Sequence, residues 1–308
     1  MSNSANPQLP VGTQVVTREA LVDSAGETVQ RGATGRVVAV VAGDAYLVRL
    51  PAGREFAARR SQLGLRRGYQ SELGIGTPSL LAGHALVTDH TILACVVGSR
   101  AFGLATDDSD TDTRGIYLAP TPAYWHLIKP PTHVEGPATE WFSWELERFC
   151  ELALKANPNA LEVLSSPLRT VVTPLGAELL ALRRAFFSQL VYQTFTGYVL
   201  GQFKKIEADL RRDGAPKWKH VMHLLRLLLA ARDLLTTGEL AVDVGAHRER
   251  LLQVRAGDES WASVEAWRLE LHGQLDDALD RTPLPPAPDV RTVDGWLYDV
   301  RRRGAVTS

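Results

Sequence analysis

At 308 residues with 45% hydrophobic positions, the chain is long enough for two or three domains with proper cores, which excludes a fibrous or disordered protein. A formal net charge of −1 excludes a global attraction to nucleic acid or anionic membranes, so any polyanion must be met by a local patch. The two cysteines, Cys95 and Cys150, sit beside apolar residues and suit buried hydrophobes in a reducing compartment better than a disulfide or structural zinc. The opening Met1 to Asn6 lacks a basic region followed by an apolar core, and Arg226 and Arg232 cut the most apolar helical stretch. The expectation is a cytoplasmic protein with no membrane segment.

Residues 11 to 63 are punctuated by Gly12, Gly26, Gly32, Gly35, Gly43 and Gly53, which separate short β-branched runs such as Thr13 to Thr17, Gly35 to Val41 and Tyr46 to Leu50. Runs of that length between turn residues predict strands of a small SH3-like β-barrel module over 1–67. Arg54, Arg59, Arg60, Arg66 and Arg67 cluster where it ends. That cluster reads either as a grip for nucleic acid or a partner, or as a solvated connector.

From 68 to 150 the pattern turns to mixed α and β. A helix is expected near Pro78 to His84, and a buried strand over Thr91 to Val97 leads into a Gly98-Ser99 turn. Glycine removes Cβ congestion there, and the amides of a short following helix favour phosphate. Asp110 and Asp112, two apart on an extended segment, point to one side. Two carboxylates forced together repel unless a cation lies between them, so the pair reads as a seat for a divalent metal. A strand continues through Gly115 to Ala119, ended by Pro120 and Pro122. Trp125 to Pro137 reads as an irregular loop carrying His126, Lys129 and His133. A strand over Glu140 to Trp144 and a helix over Glu145 to Ala156 follow, which would set Glu140 beside the acidic pair if the strands are neighbours.

From about residue 145 onward the chain reads as almost entirely helical. Apolar positions recur at three and four residues in Leu175 to Phe187, Phe195 to Leu210, Trp218 to Leu235 and Val264 to Leu279. Tyr198, Gln202 and Lys205 share one helix face, while Lys217, Lys219, His220, His223 and Arg226 crowd the start of another helix. Either group is placed to meet a triphosphate or an acceptor. Arg301-Arg302-Arg303 reads as the solvated end of a last helix.

The run Gly98-Ser99-Arg100-Ala101-Phe102-Gly103, followed by Ser109-Asp110-Thr111-Asp112, resembles the signature of the DNA polymerase β superfamily of nucleotidyltransferases. Thr113 to Tyr117, Trp144-Glu145-Leu146, Asn157-Pro158-Asn159 with Glu162, Gly197-Tyr198 with Lys205, and His223 with Arg226-Leu227-Leu228 narrow the resemblance. It is to the RNA-ligase-associated, polymerase-β-like predicted nucleotidyltransferases, over about residues 85 to 300. The resemblance leaves the amino-terminal module unexplained; with the residue patterns it gives an expected α+β fold, a mixed-sheet catalytic core over 68–150 and a helical domain over 151–308, preceded by the barrel module read from composition. It also implies three carboxylates holding two Mg2+ or Mn2+ ions. Asp110 and Asp112 match the first two and Glu140 the third, with Glu135 as the alternative. Gly98, Ser99 and Arg100 match the phosphate-binding turn. Tyr198, Gln202, Lys205, Lys219 and His223 are the further nucleotide-binding candidates, and Lys205, Lys217 and Lys219 are candidates to neutralise the leaving pyrophosphate.

The implied reaction moves an NMP from ATP or another NTP to an acceptor hydroxyl. The acceptor favoured by the family's association with RNA ligases is an RNA 3′ end. The alternatives are AMP transfer to a protein or small molecule, and a nucleotide-binding protein whose catalysis has lapsed.

Overall fold

The computed structural model describes residues 9–23, 25–41, 44–65, 80–107 and 109–306. Contacts divide the chain into two compact units, 1–79 and 80–308.

The first unit is built on β1 (Gln14–Thr17), β4 (Thr34–Val40), β5 (Ala45–Arg49), β6 (Glu55–Arg59) and β7 (Leu63–Leu65), which form an antiparallel sheet in the order β6-β5-β4-β1-β7. A hairpin of β2 (Leu21–Val22) and β3 (Thr28–Val29) accompanies it. Side chains alternate along the strands, so Tyr46 and Val48 of β5 and Phe56 and Ala58 of β6 turn inward to join Val15, Val37 and Leu63. The expected closed barrel is not formed among the described residues. The three-residue β7 pairs with β1 alone, and β6 and β7 remain as the edges of an open sheet. Arg54 of the basic cluster is held by Asp23 at 2.5 Å and Glu27 at 2.7 Å. Arg66 and Arg67 lie outside the described residues.

The second unit opens with α1 (Leu80–His90), six residues longer at its end than expected because His84 to His90 continue the helix straight into β8 (Thr91–Val96). Pro78 lies outside the described residues. The sheet that follows runs β10-β11-β9-β8-β12, from β9 (Thr113–Tyr117), β10 (His133–Glu135), β11 (Trp141–Glu145) and β12 (Arg169–Val172). Only β9 and β11 pair in parallel. Two of these strands correct the expectations. β10 lies inside the segment expected to be irregular, and β12 interrupts the region expected to be helical. Both are three- or four-residue edge strands whose side chains, Val134 apart, are mostly exposed, too short to show a period in sequence.

One face of the sheet packs on α1 through Val87, Tyr117, Ala119 and Val134. The other face meets α3 (Leu146–Leu154), α4 (Pro158–Ser165) and α5 (Pro174–Ala181), each started by a side chain that accepts from a free amide: Glu145, Asn157 and Thr173. Beyond them lie α6 (Leu190–Asp213), α7 (Trp218–Thr237), α8 (Arg248–Ala256), α9 (Trp261–Arg281) and α10 (Val290–Val306). Helix α7 is buried over most of Val221 to Leu235, with His223, Arg232 and Asp233 partly exposed, and is packed between α6, α8 and α9. One continuous core therefore joins the sheet to the helices.

Of the carboxy-terminal arginines, Arg302 and Arg303 are exposed near the end of α10 as expected, whereas Arg301 is not part of a solvated end. Arg301 reaches Glu147 at 2.7 Å and lies 4.4 Å over the Tyr124 ring, while Arg303 and the Trp296 indole both bond Glu178. Tyr124 donates to buried Glu145 at 2.5 Å. Burial raises the Glu145 carboxyl above its ordinary range, against the pull of Tyr124 and Arg301. Cys95 and Cys150 are buried free thiols, as expected. Among the described residues no helix is long and apolar enough to cross a membrane.

Candidate active site

Strand β8 delivers the chain into a turn that only glycine fits. Gly98 has φ +69° and begins the one-turn helix α2 (Gly98–Ala101). A Cβ on Gly98 would lie 2.7 Å from Asp112 Oδ2, so the turn and the acidic segment are in direct contact. The Val97 amide adds a bond to the Asp112 carbonyl at 2.9 Å. Gly103, at φ +71°, closes the turn against Asp243, whose Oδ2 would be 2.6 Å from an added Cβ. The carbonyls of the turn are then held from outside. Val244 N donates to Phe102 O at 3.1 Å, Arg248 Nε to Gly103 O at 2.8 Å, and Arg255 Nη1 to Leu104 O at 3.2 Å.

This turn forms one wall of a cavity of about 400 Å³. Gly98, Ser99, Phe102, Ser109, Asp110, Asp112 and Arg114 line that side. Asn159 and Glu162 of α4, Lys219, His220, Met222, His223 and Arg226 of α7, and Arg255 of α8 line the rest. Asp110 and Asp112 sit on the extended lead into β9 and share this one cavity, as alternation requires. Arg114 Nη2 lies 3.9 Å from Asp112 Oδ1.

Glu140 is exposed and does not line the cavity. The parallel register pairs Trp141 with Thr113, and the Thr113 amide donates to the Glu140 carbonyl at 2.8 Å, so Glu140 occupies the position beside Asp112. Glu135 lies on β10, one strand further from the pair. Among the described residues no three His, Cys, Asp or Glu side chains converge to hold a metal.

The other sequence candidates divide. Ser99, Lys219 and His223 line the cavity; Arg100, Tyr198, Gln202 and Lys205 do not. Arg100 is exposed and donates from Nη2 to the Ser109 carbonyl at 2.8 Å, tying α2 to the loop that carries Asp110. Tyr198 is exposed on α6. Lys205 is near enough to His220 to help lower its pKa, after burial and Lys217.

The most buried charges of the site are Arg226, which the sequence offers in a cationic helix start placed to meet a triphosphate or an acceptor, and Glu162, to which sequence reasoning gives no separate role. Arg226 Nη2 lies 2.8 Å from Glu162 Oε1, both side chains being almost wholly buried, and its guanidinium stacks 3.6 Å above the Phe102 ring. The contact to Glu162 is an ion pair without hydrogen-bond alignment, since Glu162 Oε1 has no hydrogen-bond partner among the described residues. His223 Nδ1 is 3.5 Å from Arg226 Nη2. Burial above all, then the charges of Arg226 and His220, holds the His223 pKa down to about 3, so the ring is neutral at pH 7. Glu162, Asn159 and Arg114 were visible only as members of motifs, while Arg255, which no sequence reading singled out, is brought in by the packing of α8.

Residues 81–299 match the family described as RlaP, RNA repair pathway DNA polymerase beta family. Over 78 residues the chain is 36% identical to the uncharacterized protein YcgL of Bacillus subtilis (strain 168), a stretch covering 24% of this chain and 30% of that protein. The match thus spans under a third of that relative's length. No solved structure matches.

Proposed function

The chain belongs to the RNA repair pathway DNA polymerase beta family, and from that premise we propose a metal-dependent nucleotidyltransferase that moves an NMP from an NTP to an RNA 3′ hydroxyl. The observation that carries this reading is the contact between the phosphate turn and the acids. Gly98 abuts Asp112, and Ser99, Asp110 and Asp112 all face one cavity of nucleotide size.

The donor set fits a magnesium-like ion: Asp110 and Asp112 offer hard carboxylate oxygens on one wall, and Glu140 holds the adjacent register position. Divalent ions bound there would supply charge neutralisation at the triphosphate and at the attacking oxygen. Everything else is assigned to this chain's residues. The Gly98 amide and Ser99 bind a phosphate oxygen, with Lys219 and the neutral His223 facing them across the cavity. Arg100 acts indirectly, by fixing the loop before Asp110. Tyr198, Gln202 and Lys205 stay outside the cavity and are assigned to the acceptor's side. The amino-terminal module, an open antiparallel sheet, is a second grip on RNA.

In the reaction the acceptor oxygen bonds to the α-phosphorus in line with the leaving group, and the hydroxyl proton passes to water. The bond from the α-phosphorus to the bridging oxygen breaks, its electron pair leaving on pyrophosphate. Each NTP labelled at the α-phosphate, incubated with Mg2+ or Mn2+ and short RNAs, tests the proposal. Label in a lengthened RNA supports it. Label on a polypeptide or metabolite moves the acceptor to those classes, and no labelled product from any acceptor sinks the catalytic reading.

A further inference from the structure

The first unit carries a charge bias that the whole chain hides. Residues 1–79 hold nine arginines, no lysine and six carboxylates, so this unit is net positive within a protein of net charge −1. An asymmetry of that kind is the footprint of a polyanion met by one part of a chain. Two arginines of the cluster at the end of the module are already engaged within it. Arg54 is tied to Asp23 and Glu27, and Arg60 donates from Nη1 to the Leu63 carbonyl at 2.9 Å.

The sheet itself presents a different pair. Its register sets Gln14 of β1 against Arg36 of β4, Arg36 against Arg49 of β5, and Arg49 against Glu55 of β6, a polar row across four strands. Their chain neighbours Val15, Val37, Val48 and Phe56 turn into the core, so the row lies on the opposite face. Arg36 and Arg49 thus stand side by side, and like charges directly opposite on adjacent strands repel. Glu55 takes only Arg49 Nε, at 2.6 Å, and leaves the two terminal nitrogens of that guanidinium without an acceptor among the described residues. Arg36 is exposed and makes no ion pair among the described residues. Both arginines and Gln14 line a groove of about 360 Å³ together with Val38, Leu50 and Pro51. An anion lying in it relieves the repulsion. No aromatic ring is among its described lining, so the groove offers no platform for stacking a base.

We infer that this face, with Arg36 and Arg49 at its centre, holds the phosphodiester backbone of single-stranded RNA. The inference rests on the RNA-acceptor reading and moves the grip of the first unit from the arginine cluster at its end to the open face of its sheet. Of the polyanions that fit such a groove, the acceptor is the one this chain already has to hold. Contact through phosphate alone makes binding tolerant of sequence. Arginine suits the role because its planar guanidinium donates along several edges, so Arg49 can keep Glu55 on one edge and turn the others to phosphate oxygens.

The test is equilibrium binding of a fluorescein-labelled oligouridine to the full chain by anisotropy, without NTP or divalent ion, over a range of salt concentrations. Arg36→Gln and Arg49→Gln should each weaken binding about fivefold near 0.1 M salt and about 25-fold together, with the salt dependence flattened by about 0.7 per arginine. Arg31→Gln, which removes the same charge from another exposed position of the unit, should bind within about twofold of wild type. Thermal melts on the same samples show that each variant is folded. A wild type that does not bind the RNA overturns the inference, as does a double variant that binds like wild type. Equal loss in Arg31→Gln overturns it in favour of diffuse charge, and displacement of the RNA by poly-L-glutamate as readily as by unlabelled RNA overturns it in favour of an acidic protein partner. Transfer of labelled NMP is scored separately. Binding lost in the double variant while no acceptor is ever labelled supports the grip and removes only the transfer reading, whereas labelled RNA with undiminished binding in the double variant removes the grip alone.

Discussion

Gly98→Ala tests whether the phosphate turn and the acidic segment are one device. At φ +69° an alanine is strained by about 1–2 kcal/mol. Its Cβ, placed 2.7 Å from Asp112 Oδ2, must also drive that carboxylate back by about 0.7 Å to reach ordinary contact. Displacements near 1 Å cost on the order of 100-fold in rate, so the expected loss in kcat is about 30- to 100-fold. Stability should fall by about 1–2 kcal/mol, with a Tm drop of about 2–4 °C for each kcal/mol in a unit of this size. Gly197→Ala is the control. It lies within α6 with nothing within 4 Å of an added Cβ, and should gain about 0.5–1 kcal/mol with activity unchanged. Steady-state transfer kinetics and thermal melts on the same samples separate the two effects. A Gly98→Ala protein that is destabilised yet keeps kcat within twofold would refute the coupling of turn to acid.

Asp110→Asn and Asp112→Asn should each lower NMP transfer by about 1,000-fold or more, because a hard carboxylate ligand is lost, with little change in melting temperature; full activity in the double variant would remove the metal assignment. Glu162→Gln strands the Arg226 charge in the core and should cost about 3 kcal/mol in urea denaturation, a loss under about 1 kcal/mol showing that the pair is not a buried charge partnership. His223 has its folded pKa held down to about 3 from 6.5, so between those values the unfolded chain binds a proton that the folded chain refuses. Stability should therefore fall as pH drops from 6.5 toward 3, by up to about 1.4 kcal/mol per pH unit from this group. Urea midpoints at pH 7, 6 and 5 should show a shallower slope in His223→Gln, and parallel slopes would contradict the burial of a neutral ring.

The parts of the site legible in sequence were those whose chemistry is local. A glycine needing positive φ, a serine after it and two carboxylates two apart are adjacent in the chain, so their conformations and shared direction follow from short-range sterics and strand alternation. Long amphipathic helices were legible for the same reason, since α6, α7 and α9 each repeat their apolar period over many turns. What failed was short or remote. Strands β10 and β12 have too few residues to display a period, and the edges of the first sheet depend on which strand β7 chooses as its partner. Arg301 looked like the frayed end of a helix because Tyr124, Glu145 and Glu147 lie more than 150 residues before it in sequence.

By itself the sequence determined the Gly98 to Asp112 stretch and the chemistry implied by its residues, because each constraint there acts between near neighbours. The tertiary structure alone decided what faces it. Folding brings α7 across the sheet so that Arg226 stacks on Phe102, pairs with Glu162 of α4 and closes the cavity opposite the two aspartates. Those partners lie 64 and 124 residues apart from Arg226 in sequence, at separations where only the burial of a common apolar core fixes their approach.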